Sequence, residues 1–397
     1  MKAHRYILSL LAAVAFAAPQ AWAQTVVKVG VITTYSGPNA AQGDVMEKGL
    51  QLYFDEHQKD LPPGVKVELV KRDDTGPNPE VAKRLAQELV TRDHVQFLAG
   101  VVWSPNAAAM APVATEAKVP FVIMNAAGVD IPRLSPYIVR VSFTLWQQAY
   151  PLGKWAAQQG WKKAYTAVTD YTPGYDGENG FTKAFTEAGG QIVGAVHIPL
   201  ANPDFVPYLQ RVKDAKPDVL YIFVPAGKQA TAAMKAASDL DLKGAGIAIV
   251  STQDLVPDEE LPNMGEEPLG LVTAGTYSAD ATRPQNKVFI AAWERAYGEK
   301  SIPDFMSAGG WDGMAAIFDV VEQTKGKFTA DEAMAILKNW KDDASPRGTI
   351  MIDPATRDIV QDVHMRRIEK QNGRLADVEF ETIPMVKDPW KELNPPK

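Results

Sequence analysis

Short apolar runs alternate with amphipathic helical patterns along this chain. In the first half, the predicted strands are residues 26–32, 65–70, 95–99 and 121–124, and the predicted helices are 41–57, one that starts at 79, and 107–117. In the second half, the predicted strands are 164–169, 192–198, 219–224, 246–250 and 269–276, and the predicted helices are 177–188, 205–215, 228–240 and 254–260. Such alternation predicts parallel sheets with helices on both faces, and two similar series predict two similar doubly wound α/β lobes.

After residue 276 the pattern changes. The predicted helices are residues 286–297, 311–323 and 330–340, and the predicted strands are 349–352, 360–368 and 375–383. Asn372 and Gly373 separate the last two strands, and this dipeptide is typical of a two-residue hairpin turn. We expect residues 384–397 to form an extended tail.

The first 23 residues have the composition of a cleavable secretory signal. Lys2 and Arg5 are basic, residues 7–18 are apolar, and Ala21 and Ala23 stand at the positions that a signal peptidase recognises. The alternative is a membrane anchor, but the apolar run is about half the ~20 residues that a spanning helix needs. We therefore expect cleavage before Gln24 and release into a bacterial periplasm, without a lipid anchor because the chain has no cysteine.

Size and charge narrow the possible partners. The chain has 397 residues, enough for two domains of ~150 residues after the leader is removed. Its net charge is −7, and losing the two basic residues of the leader makes it −9, which argues against a nucleic-acid partner. The absence of cysteine excludes disulfides, thiolate metal ligands and a cysteine nucleophile.

Signatures of catalysis and of metal binding are missing. The sequence has no His-Glu-x-x-His, Gly-x-Ser-x-Gly or phosphate-loop motif, and residues 244–246 are only a fragment of a dinucleotide-binding motif. The five histidines are scattered: His4, His57, His94, His197 and His364. Five acidic residues that follow predicted strands are interpreted as turn or capping residues: Asp73, Asp74, Asp170, Asp176 and Glu178. We expect no enzyme activity, no metal and no cofactor.

Small polar residues follow three predicted strands. Ser104 precedes Pro105, a pair that is typical of a helix start with the serine as cap. Residues 125–128 and 33–38 follow two other strands and are also mostly small. Because the carboxyl ends of parallel strands meet at one edge, where open α/β sheets bind ligands, these segments predict an anion site. The alternative is that Ser104 only caps its own helix.

Aromatic residues accompany the predicted strand ends and loops. They are Trp103, Trp146, Tyr171, Tyr175, Tyr221, Phe223 and Trp311. Any one of them could be a packing residue, but together they predict a cleft with aromatic walls.

Three segments carry a family resemblance. They are VKVGVITTYSGPNAAQGDVMEKGLQL from residue 27, DDTGPNPEVAKRLAQELVTRDHVQFLAG from residue 73, and GVVWSPNAAAMAPVATEAKVPFVIMNAA from residue 100. They resemble the branched-chain amino-acid (Leu/Ile/Val) binding proteins, which are periplasmic receptors of type I fold for ABC importers. The resemblance implies two lobes joined by three hinge crossovers, with ligand between them and no catalysis. We expect lobe 1 at 24–143 plus 277–352, and lobe 2 at 144–276 plus 353–397.

The resemblance also implies site residues. Ser104 matches the serine that binds the ligand carboxylate, and Ala126 and Gly128 match residues whose backbone holds the ligand, with Gly128 replacing a threonine. Gln42 replaces a tyrosine, and Tyr175 matches the tyrosine of the second lobe. The complete predicted ligand-binding set is Ser104, Trp103, Ala126, Ala127, Gly128, Gln42, Leu145, Trp146, Tyr175 and Thr252.

The family pairs the ligand ammonium with two acids, and here those positions differ. The first aligns with Leu145 and the second falls near Thr252, so we expect no acid to balance an ammonium group. Burying an unpaired ammonium costs several kcal/mol, which would make amino acids poor ligands.

The sequence therefore predicts a monomeric periplasmic receptor for a small carboxylate, an aromatic acid such as a benzoate or a hydroxycinnamate. Its partner would be an ABC permease in the inner membrane. Three alternatives remain open: a receptor for branched-chain or other amino acids, a ligand sensor for a membrane kinase, and a secreted α/β enzyme.

Overall fold

Two β-sheets with flanking helices form the protein, whose computed structural model describes residues 24–395. The strands are β1 (Thr25–Thr33), β2 (Val65–Asp73), β3 (Phe97–Gly100), β4 (Phe121–Ile123), β5 (Ile138–Arg140), β6 (Lys163–Thr169), β7 (Gln191–Ile198), β8 (Val219–Phe223), β9 (Ala248–Thr252), β10 (Val272–Gly275), β11 (Lys341–Asp342), β12 (Ile350–Ile352), β13 (Ile359–Gln371) and β14 (Arg374–Val386). The helices are α1 (Ala40–His57), α2 (Pro79–Thr91), α3 (Ser104–Ala117), α4 (Leu145–Gln158), α5 (Thr172–Glu187), α6 (Val206–Ala215), α7 (Lys228–Asp239), α8 (Pro284–Tyr297), α9 (Phe305–Thr324), α10 (Ala330–Leu337) and α11 (Pro389–Leu393).

The first sheet is parallel and has the strand order β2-β1-β3-β4-β5. Side chains of β1 alternate between its two faces, so Val29 and Val31 join one apolar cluster and Ile32 joins another. Helices α1 and α9 pack on each other on one side, and α2 and α3 pack together on the other. This sheet and its helices form the first lobe.

The second sheet has the order β11-β12-β13-β10-β9-β8-β6-β7, with β14 paired to β13. Its central strands β6 to β10 are parallel, and β13 runs antiparallel to β10. Apolar clusters cover both faces, one shared with α4 and α5 and one with α6 and α7. This sheet and its helices form the second lobe, so the two-lobed α/β architecture expected from the sequence is confirmed.

The chain passes between the lobes three times. Residues 141–144 lead from β5 to α4, which packs against β9 and β10. Residues 276–283 lead from β10 back to α8 and α9, which pack against α1. After α10, which packs on α9, the chain returns to the second sheet at β11 and β12. The exact lobe boundaries expected from the sequence stay a prediction.

A buried arginine joins these passages. The Arg347 guanidinium donates to the carbonyl oxygens of Val141 (2.6 Å) and Ser142 (2.8 Å) in the first passage. It also pairs with Asp312 of α9 at 2.6 Å and donates to Gln361 of β13. All of these groups are buried, so each polar atom needs its hydrogen-bond partner in place of water. The region between the lobes is therefore held by a hydrogen-bond network as well as by apolar contacts.

Most of the predicted strands and helices are present, and the predicted helix cap at Asn78 and hairpin turn at Asn372 are confirmed. Asn78 caps α2 by accepting from the amide of Val81, with Pro79 at the first helical position. Asn372 and Gly373 both have positive φ between β13 and β14, as a two-residue hairpin turn requires.

Two expectations were wrong, and other elements were not predicted. Residues 254–260 do not form a helix: the segment holds one 3-10 turn, Gln253–Leu255, followed by Pro257. The sequence also did not predict β5 or α4, although Thr144 and Gln147 form a capping box at the start of α4. The expected extended tail contains the short helix α11.

The predicted leader, residues 1–23, lies outside the described residues. Among residues 24–395, no helix combines the length and apolar character needed to cross a membrane.

Candidate functional site

Three loops of small residues meet at the carboxyl edge of the first sheet. Strands β1, β3 and β4 are neighbours and run parallel, so the segments 33–38, 101–104 and 124–128 leave the sheet side by side. The structure thus brings together the segments in which the sequence predicted an anion site.

Ser104 and Gly128 form the centre of this edge. The hydroxyl oxygen of Ser104 accepts a hydrogen bond from the amide of Gly128 at 3.0 Å, and both residues are buried. Ser104 is the first residue of α3 and Trp103 occupies the cap position, so the predicted capping role of Ser104 is wrong. The Ser104 hydroxyl hydrogen remains free to donate, because no acceptor for it lies among the described residues. A carboxylate could accept from this hydroxyl and from the amide groups at the start of α3.

Residue 128 is a glycine, and its lack of a side chain leaves the space beside the Ser104 hydroxyl open. A Cβ atom on Gly128 would lie 3.4 Å from the Cβ and 3.5 Å from the Oγ of Ser104. A threonine at this position would therefore extend its side chain into the space beside the serine hydroxyl.

A buried arginine supports the same loop. The Nη1 group of Arg140 donates to the carbonyl oxygens of Ala126 (3.1 Å) and Gly128 (2.6 Å), and its Nε group donates to Asp358 at 2.6 Å. Burial lowers the pKa of Arg140 to about 10, so it stays cationic at neutral pH. These hydrogen bonds fix the loop that carries Gly128 beside Ser104. Sequence reasoning missed this role, although an arginine within the apolar run 138–141 was a usable signal.

Trp103 is held by a polar chain rather than by apolar packing alone. Its indole N–H donates to Thr34 at 3.0 Å, and the Thr34 hydroxyl donates to Asp74 at 2.7 Å. Asn106 donates to the other oxygen of Asp74 at 2.8 Å. Asp74 also accepts from the amide of Gly76, which supports its interpretation as a turn residue. This chain connects the ends of β1, β2 and β3 and fixes the loop that carries Ser104.

Two hydrogen bonds join the lobes across the cleft. Gln42, at the start of α1, donates to the carbonyl oxygen of Ala226 in the second lobe, while its own side-chain oxygen is buried without a partner among residues 24–395. Asp176 of α5 accepts from the amide of Val129 at 3.0 Å. Burial raises the pKa of Asp176 to about 6. Asp176, interpreted from the sequence as a cap residue, instead contacts the residue next to Gly128.

A cavity of about 200 Å³ lies between the lobes beside Gln42. Its first wall is the loop that precedes α1, and its second wall comes from the start of α7 and the loop before α6. The lining residues are Pro38, Asn39, Ala41, Gln42, Asn202, Pro203, Phe205, Ala226, Gly227, Lys228, Gln229 and Ala232. Of the residues predicted to bind ligand, Gln42 is the one that lines it.

Leu145 and Tyr221 lie close together in the second lobe. Leu145 is buried at the start of α4, and the Tyr221 hydroxyl is buried without a hydrogen-bond partner among the described residues. A Cβ on Gly177 would lie 2.4 Å from that hydroxyl and 3.7 Å from a methyl group of Leu145. Leu145, which aligns with the first acid of the family, is thus apolar, and the phenol group of Tyr221 lies beside it.

Thr252 ends β9 and donates its hydroxyl hydrogen to Asp254 at 3.1 Å. Burial raises the pKa of Asp254 to about 7. The expectation that no acid remains near Thr252 is therefore wrong. The sequence did contain a signal for this residue. Asp254 follows a strand at the edge where open α/β sheets bind ligands.

Two predicted aromatic residues lie away from the cleft. The ring of Trp146 packs between α4 and α5, against Gly180 and Tyr150. Trp311 packs inside the first lobe on α1. Their rings therefore do not form the predicted aromatic wall. Tyr175 is 37% exposed, and its hydroxyl donates to Asp170. Its role in binding ligand stays a prediction.

Tyr171 follows β6 at the carboxyl edge of the second sheet. Its ring stacks on Phe223, with ring centres 6.1 Å apart. Burial raises its pKa well above the usual value, and the charges of Asp254 and Asp176 raise it further. The carboxyl groups of Asp176 and Asp254 are therefore both near Tyr171.

The other two predicted residues, Ala126 and Ala127, lie on the loop that Arg140 holds. The amide of Ala126 donates to the carbonyl oxygen of Val101 at 3.1 Å, so both of its backbone groups are already hydrogen-bonded within the protein. Ala127 is buried in the apolar cluster.

Comparison with known proteins gives consistent matches. The family model described as periplasmic binding protein matches residues 26–374. A curated relative, Leu/Ile/Val-binding protein homolog 6 of Brucella melitensis, is 40% identical over 385 residues, which cover 96% of this chain and 97% of the relative.

Two solved structures are similar over almost the same length. One is the solute-binding protein of an ABC transporter from Rhodopseudomonas palustris BisB5 in complex with 3,4-dihydroxybenzoic acid, which is 44% identical and has a TM-score of 0.88. The other is an ABC transporter solute-binding protein from R. palustris in complex with 4-hydroxybenzoate, which is 42% identical and has a TM-score of 0.89. Each match covers 92% of this chain and 99% of the other.

Proposed function

This chain belongs to the periplasmic binding protein family and has its type I fold, and we propose that it is the receptor of an ABC importer for an aromatic carboxylate. The family is one of periplasmic solute-binding proteins. Export through a cleavable signal in residues 1–23, and the monomeric state, are parts of this proposal.

The observation that carries the proposal is the Ser104–Gly128 pair. It offers a free hydroxyl hydrogen and the amide end of α3 at a buried sheet edge, with the Arg140 guanidinium behind the same loop. Donors of this kind suit a carboxylate, because charge-assisted hydrogen bonds are the stronger ones in a site shielded from water.

The remaining surroundings favour an aromatic ring over an aliphatic amino acid. Leu145 replaces the first acid of the family with an apolar side chain, and Tyr171 and Phe223 supply stacked rings in the second lobe. Relatives at 42–44% identity are described in complex with hydroxylated benzoates, which is consistent with this chemistry.

One observation favours a second candidate, a branched-chain amino acid. Asp254 is a buried acid beside Thr252, and it could balance an ammonium group. The curated relatives carry Leu/Ile/Val-binding names. Against this stands Leu145, because an apolar side chain at the position of the family's first acid gives no compensation for a buried cation.

Binding would work by closing the lobes. A ligand shifts the open–closed equilibrium only if it contacts the closed form better, so it must touch both lobes. The cross-lobe bonds of Gln42 and Asp176 belong to the closed form, and the ligand carboxylate on Ser104 would add a third link. A membrane permease would recognise the closed shape. The proposed function includes no catalytic step and no cofactor.

Calorimetric titration of the purified protein tests this function. We expect benzoate, 4-hydroxybenzoate or cinnamate to bind with micromolar or tighter affinity and leucine to give no heat. Tight leucine binding with no response to the aromatic acids would establish the second candidate instead. Mass spectrometry of small molecules released by denaturing the protein provides an independent check. Genes for permease and ATPase subunits beside this one would favour an importer over a sensor for a membrane kinase.

A further inference from the structure

We propose that the carboxyl group of Asp254 binds a hydroxyl group on the far side of the ligand ring, so that the site selects phenolic aromatic acids over unsubstituted ones. This inference rests on the proposed aromatic-acid function and assigns a residue to substrate selection.

Asp254 lies on the correct side of the cleft. It follows β9, whose carboxyl end lies at the same sheet edge as those of β8 and β6. It is close enough to Asp304, which caps α9 of the first lobe, for the charge of that group to raise its pKa. Asp254 therefore lies where the second lobe faces the first.

The carboxylate site and Asp254 belong to different lobes. Ser104 follows β3 at the carboxyl edge of the first sheet, and Asp254 follows β9 at the carboxyl edge of the second. Asp176 of α5, the helix after β6, contacts the amide of Val129, next to Gly128. An aromatic acid with its carboxylate on Ser104 would therefore direct its opposite ring position toward the edge that carries Asp254.

Asp254 has hydrogen-bonding capacity to spare. Thr252 is the one side chain among residues 24–395 that donates to it, and the bond uses one carboxyl oxygen. The residue is still 9% exposed in this deep position, so part of it faces open space. The unpartnered Tyr221 hydroxyl is near enough for the charge of Asp254 to raise the pKa of Tyr221. A buried group with unused capacity favours a ligand that supplies a partner.

A phenol suits this carboxyl in both of its protonation states. An ionised Asp254 accepts the phenol hydrogen, and a neutral Asp254 can donate to the phenol oxygen. An ammonium ion, by contrast, is compensated only by the ionised form. Leu145 supplies no carboxylate at the position of the family's first acid, whereas the family resemblance implies two acids for an ammonium ligand.

The experiment compares two ligands on three proteins. 4-Hydroxybenzoate and 4-fluorobenzoate have the same carboxylate and ring, but only the first can donate a hydrogen bond. Wild type, Asp254→Ala and Asp254→Asn are titrated with each ligand by calorimetry, and circular dichroism checks that each variant is folded. Asparagine has the same shape and keeps an oxygen that accepts a hydrogen bond, so it also serves if the alanine variant does not fold.

We expect wild type to bind 4-hydroxybenzoate at least tenfold more tightly than 4-fluorobenzoate. Asp254→Ala should remove this preference while 4-fluorobenzoate affinity changes by less than about threefold, and Asp254→Asn should keep most of it. A wild type without preference, or a preference that survives in Asp254→Ala, overturns the inference and leaves the aromatic-acid function standing. Failure of both acids to bind overturns the function as well. Leucine binding that Asp254→Asn abolishes would identify an ammonium site and contradict the inference.

Discussion

Replacing Ser104 with alanine removes the hydroxyl group that faces the amide of Gly128 and is proposed to donate to the ligand carboxylate. A hydrogen bond to a charged group contributes about 1.5–3 kcal/mol. Since about 1.4 kcal/mol corresponds to a tenfold change in Kd, Ser104→Ala should weaken binding of the aromatic acid by roughly ten- to a hundredfold. Isothermal titration with 4-hydroxybenzoate measures this change directly.

The same substitution also has a structural cost that must be separated from the binding effect. The buried amide of Gly128 loses its acceptor, which should lower the free energy of unfolding by about 1–3 kcal/mol. Ser135 provides a matched control in the same lobe. It is buried, and its hydroxyl oxygen accepts from the amide of Tyr137 at 3.1 Å and from the hydroxyl of Thr115 at 2.7 Å. It lies before β5, at the edge opposite the carboxylate site.

Ser135→Ala should therefore cost at least as much stability in urea unfolding and leave Kd unchanged. If Ser104→Ala weakens binding no more than Ser135→Ala does, the hydroxyl acts only inside the protein and the carboxylate site is misplaced. Equal loss of affinity for 4-fluorobenzoate and 4-hydroxybenzoate in Ser104→Ala is expected as well, because both ligands carry the same carboxylate.

Three further outcomes are expected. Burial raises the pKa of Asp176 from 3.8 to about 6, so its protonated form is favoured in the folded protein, and this contribution to stability is present below pH 4 and lost as pH rises through 6. Wild type and Asp176→Asn should accordingly have similar free energies of unfolding in urea at pH 4, and the variant should be more stable by up to about 3 kcal/mol at pH 8. A difference between the two proteins that does not change with pH would refute this. Gln42→Ala removes the bond to the Ala226 carbonyl oxygen and should raise the ligand Kd about three- to tenfold with little change in Tm, and small-angle scattering should then show a more open ligand-free form. Gly43→Ala would place a Cβ 1.8 Å from the carbonyl oxygen of Thr34 and should lower stability by about 1–3 kcal/mol or more; an unchanged Tm would contradict the geometry.

Local patterns predicted most of the secondary structure, because their causes are local. The capped start of α2 at Asn78 depends on a side chain and an amide three residues apart, and the hairpin turn at Asn372 depends on two adjacent residues that tolerate positive φ. Helix α4 was missed because Pro151 and Gly153 lie within it, and both have low intrinsic helix propensity. Packing against α5 and the second sheet stabilises this helix despite them.

The candidate site was predictable in part for the same reason. Parallel strands place their carboxyl ends at one edge, so Ser104 and Gly128 could be expected to meet, and they do. Trp146 was placed wrongly, since its position along α4 does not indicate which side of the helix faces the cleft. Tyr171 and Asp254 acquire their roles from segments more than 80 residues apart in the chain.

By itself, the sequence determined the two-lobed α/β fold, the family, and the loops of small residues at the carboxyl edge of the first sheet. These features follow from the periodicity of strands and helices and from capping and turn residues, all of which act over a few positions. Only the tertiary structure decided the charges of the site. Asp254 and Asp176 have raised pKa values, and Arg140 lies behind the ligand loop, because distant segments bury these groups and bring them together. Burial and the distances between charges depend on the packing of the whole chain, and no short stretch of sequence encodes them.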